Sequence, residues 1–193
     1  MSQNHYSFFA MLSRMKNIAR WGLMRNSVTE TLSEHTLDTA YIVHALIAIH
    51  NSNYPMSPLK PESAVMYALY HDCSEILTGD MPTPVKYRNP ALKAAYKAVE
   101  KEAGNELLEK LPLEMQPQFR QWFEIPAEYK PYIKAADKIS ALVKCVEERK
   151  MGNCEFECAY VSTLQALKEM NLTEVEQFLA DFLPAYSKTL DEL

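Results

Sequence analysis

The chain has 193 residues, enough to bury a full core in one domain, and 48% hydrophobic with 23% charged residues is ordinary for a water-soluble globular protein. A formal charge of −5 argues against a general nucleic-acid binder, which needs a basic surface, but leaves a small anionic ligand open. Four glycines disfavour a fold built of tight turns. The four cysteines (Cys73, Cys145, Cys154, Cys158) form no CxxC pair and read as free thiols of a reducing compartment. No basic segment precedes an apolar one at the N-terminus, and no apolar run approaches the roughly 18 residues of a membrane span. No signal peptide is expected, no membrane partner, and the cytoplasm is the expected location.

Taken in order, the chain reads as helical nearly throughout. Tyr6 to Ala19 places Phe8, Met11, Leu12, Met15 and Ile18 on one stripe, and Arg20-Trp21-Gly22 breaks the period. Ser33 is the expected N-cap of a helix from Glu34 to His50, with Leu37, Tyr41, His44, Ala45 and Ala48 repeating at three and four. Asn51 to Pro58 reads as a loop. Pro61 suits the first turn of a helix that carries Val65, Ala68 and Leu69 and ends near Thr78-Gly79. The loop Asp80-Met81-Pro82-Thr83-Pro84 is expected to be non-helical, because its two prolines remove donors and extend the residues before them. Further helices are expected from Asn89-Pro90 to about Leu111 and from Pro112 to about Phe123. Others run from Pro131 to about Met151, from Glu155 to Met170, and from Thr173 to Leu190 with a Thr173/Glu176 capping box. No alternating run signals a strand. The expectation is one all-α domain over residues 1–193, of about eight helices.

The chemistry concentrates in Ala68-Leu69-Tyr70-His71-Asp72-Cys73-Ser74-Glu75-Ile76-Leu77-Thr78-Gly79-Asp80. Adjacent residues of a helix point about 100° apart, so His71 and Asp72 face one ion only where the helix borders a cavity. Two ligands hold a divalent ion poorly, and others must come from elsewhere. His35 sits in the first turn of its expected helix, 36 residues before His71. Asp137 lies 65 residues after Asp72 within Tyr132-Ile133-Lys134-Ala135-Ala136-Asp137-Lys138-Ile139, on a face that should be buried, where a carboxylate needs a cation. Alone, each has a blander reading. A His-Asp dipeptide occurs by chance, His35 fits a helix terminus, and Asp137 could pair with Lys134 or Lys138. Two imidazoles and two carboxylates suit Mn²⁺, Co²⁺, Fe²⁺ or Zn²⁺ better than Mg²⁺ or Ca²⁺. Such an ion lowers the pKa of its water to ~7 and polarises a phosphoryl oxygen. Glu75, four residues after His71, is placed on the same helix face to take a proton from that water.

The joint pattern His35…His71-Asp72…Asp137 resembles the HD-domain superfamily of metal-dependent phosphohydrolases. Within it, Arg20-Trp21, Ser33-Glu34-His35, His71-Asp72-x-x-Glu75, Thr78-Gly79-Asp80-x-Pro82-Thr83-Pro84-x-Lys86 and Ala136-Asp137 are similar to the bacterial 5′-deoxynucleotidases. The resemblance covers nearly the whole chain. It implies hydrolysis of deoxyribonucleoside 5′-monophosphates to deoxynucleoside and phosphate, a homodimer, and one divalent transition-metal ion. Co²⁺ or Mn²⁺ is expected first, with Zn²⁺, Fe²⁺ or Cu²⁺ as alternatives. It also implies substrate contacts at Arg20, Trp21, His35, Asp72, Asp80, Met81, Pro82, Thr83 and Asp137.

A phosphate needs a cation besides the metal, and the Arg20 guanidinium can fork two of its oxygens; the blander reading is a solvated arginine. From residue type alone Trp21 is a core aromatic. By resemblance it walls the pocket and crowds a 2′-hydroxyl, so that deoxyribose fits and ribose clashes. Asp80 accepts from a sugar hydroxyl or positions water, or is only a turn aspartate. Lys86 is a weaker phosphate ligand or a surface lysine. No set of Asn, Gln or Arg is arranged to read a base edge, so little base preference is expected. The competing readings are an HD phosphohydrolase of another nucleotide, which would need more cations, and a non-catalytic HD-like binding module, which would lack a ligand.

Overall fold

The computed structural model describes residues 5–86 and 88–193. Among these, ten α-helical segments and five short 3₁₀ turns account for the regular structure, and the one β pairing is an isolated bridge between Ala19 and Thr31. Helix α1 (Phe8–Leu12) tightens into a 3₁₀ turn (Ser13–Asn17) and stops at Ile18, whose backbone is extended. Its stripe holds through that change: Phe8 and Met15 are buried, with Met11 and Leu12 packed beside Phe8.

Helix α2 (Leu32–Asn53) starts earlier than expected. Its N-cap is Thr31, not Ser33, because only Thr31 has an acid three residues on. The Glu34 N–H donates to Thr31 Oγ1 at 3.3 Å, and Glu34 Oε2 accepts from the Thr31 N–H at 2.7 Å. The buried face also differs. Leu32, His35, Thr36, Thr39, Ala40, Ile42, Val43, Leu46 and Ile47 turn inward, while Leu37 and Tyr41 are exposed. Two apolar stripes compete on this helix, and the branched one wins because α3 (Pro61–Tyr70) and α8 (Lys130–Lys150) both pack against it. Each large apolar side chain so buried contributes about 1.5–3 kcal/mol.

The helix opened by Pro61 does not run to Gly79. It ends at Tyr70, residues 71–74 form a turn, and α4 (Glu75–Thr78) follows before Gly79 at φ +74°. Backbone bonds tighten to three-residue spacing there, with Cys73 N donating to Tyr70 O at 3.3 Å and Glu75 N to Asp72 O at 2.9 Å. Glu75 is therefore not one turn beyond His71 on a continuous helix face. The expected Asp80–Pro84 loop is shorter than anticipated. Thr83–Lys86 forms a single helical turn, α5, because Pro84 falls in its first turn, where a missing N–H costs nothing.

Helix α6 (Pro90–Glu109) is capped by Asn89, which accepts from the Leu92 N–H at 2.8 Å. Helix α7 (Gln116–Arg120) begins four residues after Pro112 and continues as a 3₁₀ turn to Phe123. Beyond α8, helix α9 (Glu157–Lys168) and helix α10 (Thr173–Asp181) close the chain, followed by 3₁₀ turns at Leu183–Ser187 and Leu190–Glu192. The expected Thr173/Glu176 box is absent: Leu172 is the N-cap, without a side-chain bond. The last helix breaks before Pro184, whose ring removes a donor.

Two apolar cores result. The larger joins α2, α3, α8, α9 and α10; the smaller gathers Phe8, Cys73, Leu107, Leu108 and Leu111 with Tyr70, Phe119 and Phe123. The turn at residues 71–74 lies between them. Tyr70 and Cys73 enter the smaller core, while His71 and Asp72 reach the buried N-terminal end of α2.

Candidate metal centre

Three elements converge on one point. His35 comes from the first turn of α2, His71 and Asp72 from the turn after α3, and Asp137 from the second turn of α8. Their ligand atoms all lie within 4.8 Å of one another. His35 Nε2 stands 3.2 Å from Asp137 Oδ1 and 3.6 Å from Asp72 Oδ2; His71 Nε2 stands 3.0 Å from Asp72 Oδ2. The far nitrogens are held. His71 Nδ1 meets the Ala68 carbonyl at 2.6 Å, and His35 Nδ1 meets Ser140 Oγ at 3.0 Å. A carbonyl only accepts, so His71 carries its proton on Nδ1 and turns Nε2 toward the cluster. Both Nε2 atoms are buried without a well-formed hydrogen bond. Asp137 is partly open, with 43% of its side chain exposed, and its charge partner is His35 rather than Lys134 or Lys138.

The electrostatics demand positive charge. Burial alone would raise the Asp72 carboxyl, but His71, followed by His35, holds it well below the usual carboxylate range. Asp137 is lowered against burial by the neighbouring His35 imidazole. Burial opposes protonation of His71, yet Asp72 pushes it up to about 9. Ionised carboxylates beside unusually basic imidazoles, with two buried ring nitrogens unpaired, fit a divalent cation in place of the imidazole protons. The N₂O₂ donor set fits a transition metal.

Arg20 reaches the cluster, and Trp21 follows it in the chain. Residues 18–20 pair with residues 30–32: Arg20 N donates to Glu30 O at 2.9 Å and Leu32 N to Ile18 O at 2.8 Å. The Arg20 Nε–H donates to Glu30 Oε2 at 3.2 Å, and Nη1 lies 3.8 Å from Asp72 Oδ2. Burial disfavours its charge, but Glu30, Asp137, Asp72 and Asp80 together raise its pKa further. Trp21 has φ +60°, a left-handed backbone that costs a bulky side chain roughly 1–3 kcal/mol. Its indole packs against Phe156, with ring centres 5.3 Å apart and planes tilted by 56°, and donates Nε1–H to Glu30 Oε2 at 2.7 Å.

Glu75 is buried, and its Oε2 has no hydrogen-bond partner. Burial, then Asp72 and Asp80, push its carboxyl up to about 9. Asp80 is also raised, by burial first. Met81 and Pro82 are half-buried and Thr83 is exposed. Lys86 is committed elsewhere: its Nζ pairs with Glu100 at 2.6 Å and lies 4.8 Å from the centre of the Tyr96 ring. A cavity of about 550 Å³ touches His71 and Asp72 from the side of the smaller core, among Lys86, Lys97, Lys101 and Arg120, and neither Arg20 nor Trp21 lines it.

Two contributors escape a reading of the sequence. Ser140, which braces His35, lies three residues after Asp137 on one face of α8, and that spacing is a usable signal. Glu30, which ties Arg20 to Trp21, lies ten residues away across a bridge that no local pattern announces.

The description of a 5′-deoxynucleotidase YfbR-like family matches residues 7–186. The chain belongs to that family. It is thereby one of the metal-dependent phosphohydrolases of the HD type, and its relatives agree. It is 42% identical over 196 residues to a 5′-deoxynucleotidase of Pectobacterium atrosepticum, covering 100% of this chain and 97% of that one. It is 43% identical over 189 residues to a 5′-deoxynucleotidase of Yersinia pestis, covering 96% and 95%. Among solved structures, an HD-domain phosphohydrolase from Listeria innocua superposes with a TM-score of 0.80 at 25% identity, over 93% of this chain and 88% of that one. The cyanophage S-2L HD phosphohydrolase, bound to dA and one catalytic Zn²⁺, has the same fold with a TM-score of 0.66 at 21% identity, over 93% and 96%. No helix among the described residues is long and apolar enough to cross a membrane.

Proposed function

We propose that the family activity is carried by these residues in these roles. His35, His71, Asp72 and Asp137 hold one divalent ion, Co²⁺ or Mn²⁺ in preference to Zn²⁺, Fe²⁺ or Cu²⁺. When bound, the ion supplies Lewis acidity toward a phosphoryl oxygen and an acidified water. Arg20 takes the phosphate of a deoxyribonucleoside 5′-monophosphate and stabilises charge on its equatorial oxygens. Trp21 narrows the space beside the sugar and excludes a 2′-hydroxyl, while Asp80 and the Met81-Pro82-Thr83 backbone line the nucleoside. The observation that supports this most is the pair of buried Nε2 atoms left without hydrogen bonds beside two ionised carboxylates.

Glu75 serves as the proton acceptor for the attacking water. A carboxyl pushed up to about 9 is neutral at pH 7 and accepts nothing. Positive charge restored at the four ligands, of which Asp72 already acts on the Glu75 carboxyl, favours its ionised form. The whole chain acts as one domain, in the cytoplasm and as a homodimer. The exposed Leu37 and Tyr41 on α2 offer apolar surface for a second copy.

The test is phosphate release from dAMP and AMP side by side, in Mn²⁺ or Co²⁺ and then in EDTA. Turnover of dAMP alone, abolished by EDTA, is the expected result. Equal turnover of AMP returns Trp21 to a packing role, and no turnover of either sinks the substrate assignment. Glu75→Ala should retain metal and substrate while losing most of kcat; near-normal kcat removes it as the base.

A further inference from the structure

Successive side chains of an extended segment point to opposite sides. Arg20 is paired in register with Glu30 through the Arg20 N–H and Glu30 carbonyl, so its side chain can lie over Glu30. On an ordinary extended backbone Trp21 would then point away. It does not. The left-handed backbone of Trp21 breaks the alternation, and its indole N–H reaches the same oxygen, Glu30 Oε2, that accepts from Arg20 Nε. Both donors end on one carboxylate oxygen, at 3.2 and 2.7 Å. The Glu30 side chain is 10% exposed and that of Arg20 is 12% exposed, so water competes little for either bond. Phe156 packs against the indole, with ring centres 5.3 Å apart.

We propose that Glu30 is a positioning residue for substrate choice: it fixes the guanidinium and the indole relative to one another, so that phosphate and sugar are gauged from a single anchor. This rests on the roles given above to Arg20 and Trp21. The two donors make separable demands on Glu30. The indole N–H needs only an acceptor oxygen. The guanidinium needs a negative charge, since its Nη1 already faces Asp72 and its desolvated charge must be balanced. With Nε committed to Glu30, the Nη groups remain to meet an anion at the metal ligands. Loss of the anchor frees the indole to leave its left-handed geometry and widens the space beside the sugar.

Two substitutions separate these demands. Glu30→Gln keeps an oxygen for the indole and removes the charge. Its dAMP:AMP ratio of kcat/KM should stay within about 3-fold of wild type, while KM for dAMP rises about 10-fold with kcat less affected. Glu30→Ala removes both, and the ratio should fall toward 1 at unchanged metal content. A merely structural role lowers Tm in both variants and leaves the ratio alone, which overturns the proposal. If Glu30→Ala does not fold, Glu30→Gln decides: a raised KM at preserved ratio supports the anchor, and wild-type constants refute it. Indole emission gives a readout besides turnover. In a Trp122→Phe background, Glu30→Ala should shift the Trp21 spectrum; an unchanged spectrum counts against the anchor. A wild-type enzyme that turns over dAMP and AMP equally defeats the sieve role of Trp21 itself, an outcome visible before any Glu30 variant is made.

Discussion

His35 and His50 lie on the same helix, fifteen residues or about 22 Å apart, and their surroundings differ in one respect that separates a site from a staple. Both ring nitrogens of His50 are matched. Nδ1 lies 2.8 Å from Glu174 Oε1 and 2.7 Å from the Tyr132 hydroxyl, and Nε2 lies 3.2 Å from the Ser57 carbonyl. The Tyr132 hydroxyl donates to the same Glu174 oxygen at 3.2 Å. This cluster joins the end of α2 to α8 and to the first turn of α10. His35 is matched on one side only. Its Nδ1 meets Ser140, while Nε2 is buried beside two carboxylates without a well-formed bond. Native interiors satisfy nearly all of their polar groups. A histidine whose partners are complete is a structural tie, and one left incomplete beside carboxylates waits for a cation.

The largest effect should come from breaking the incomplete cluster. His71→Ala is expected to lower phosphate release by about 10³-fold or more and bound metal well below one ion per chain, with the helical circular dichroism retained. Full metal occupancy in that variant would contradict the ligand assignment. Breaking the complete cluster should do the reverse. Glu174→Ala leaves the Tyr132 hydroxyl and His50 without their buried acceptor and should cost about 2–3 kcal/mol in urea unfolding, with kcat unchanged. A loss of kcat at normal stability would mean that the second cluster is not merely a tie.

The pH dependence sharpens the contrast between filled and empty ligand sets. The His71 pKa is raised above its ordinary 6.5 to about 9 in the folded chain, so the stability it contributes is full below pH 6.5 and is lost as pH rises toward 9. Metal-stripped protein should therefore lose on the order of 3 kcal/mol over that window. Metal-loaded protein, whose imidazoles are already unprotonated at Nε2, should show little of this slope. Equal slopes would show that His71 does not exchange its proton for the ion. The smallest effect belongs to the brace. Ser140→Ala frees His35 Nδ1 and should weaken metal binding about 10-fold by competitive chelation. Unchanged affinity would leave orientation of His35 to packing alone.

The convergence of His35, His71, Asp72 and Asp137 was legible because their spacing and residue types are unusual together: a histidine after a cap, a His-Asp pair, and an aspartate on an apolar helix face. The helical class was legible from periodicity, and the caps from local chemistry, as at Asn89, which holds the Leu92 N–H. Where two local signals competed, sequence reading chose the wrong one. Ser33 and Thr31 both suit an N-cap, and only the acid at Glu34 separates them. The Leu37/Tyr41/Ala48 stripe and the Ile42/Val43/Leu46/Ile47 stripe are both apolar, and only the packing of α3 and α8 decides which is buried.

By itself, then, the sequence determined an all-helical chain and the His35/His71/Asp72/Asp137 set that the fold gathers to one point, because helical period and ligand chemistry are properties of short stretches. Only the tertiary structure decided that the helix breaks at Tyr70, that Ser140 braces His35 from another helix, and that Glu30 gathers Arg20 and Trp21 onto one oxygen. Those outcomes depend on which segments meet across the fold. The free energy of such meetings comes from burial and from completing hydrogen bonds between distant residues, and no window of neighbouring residues records it.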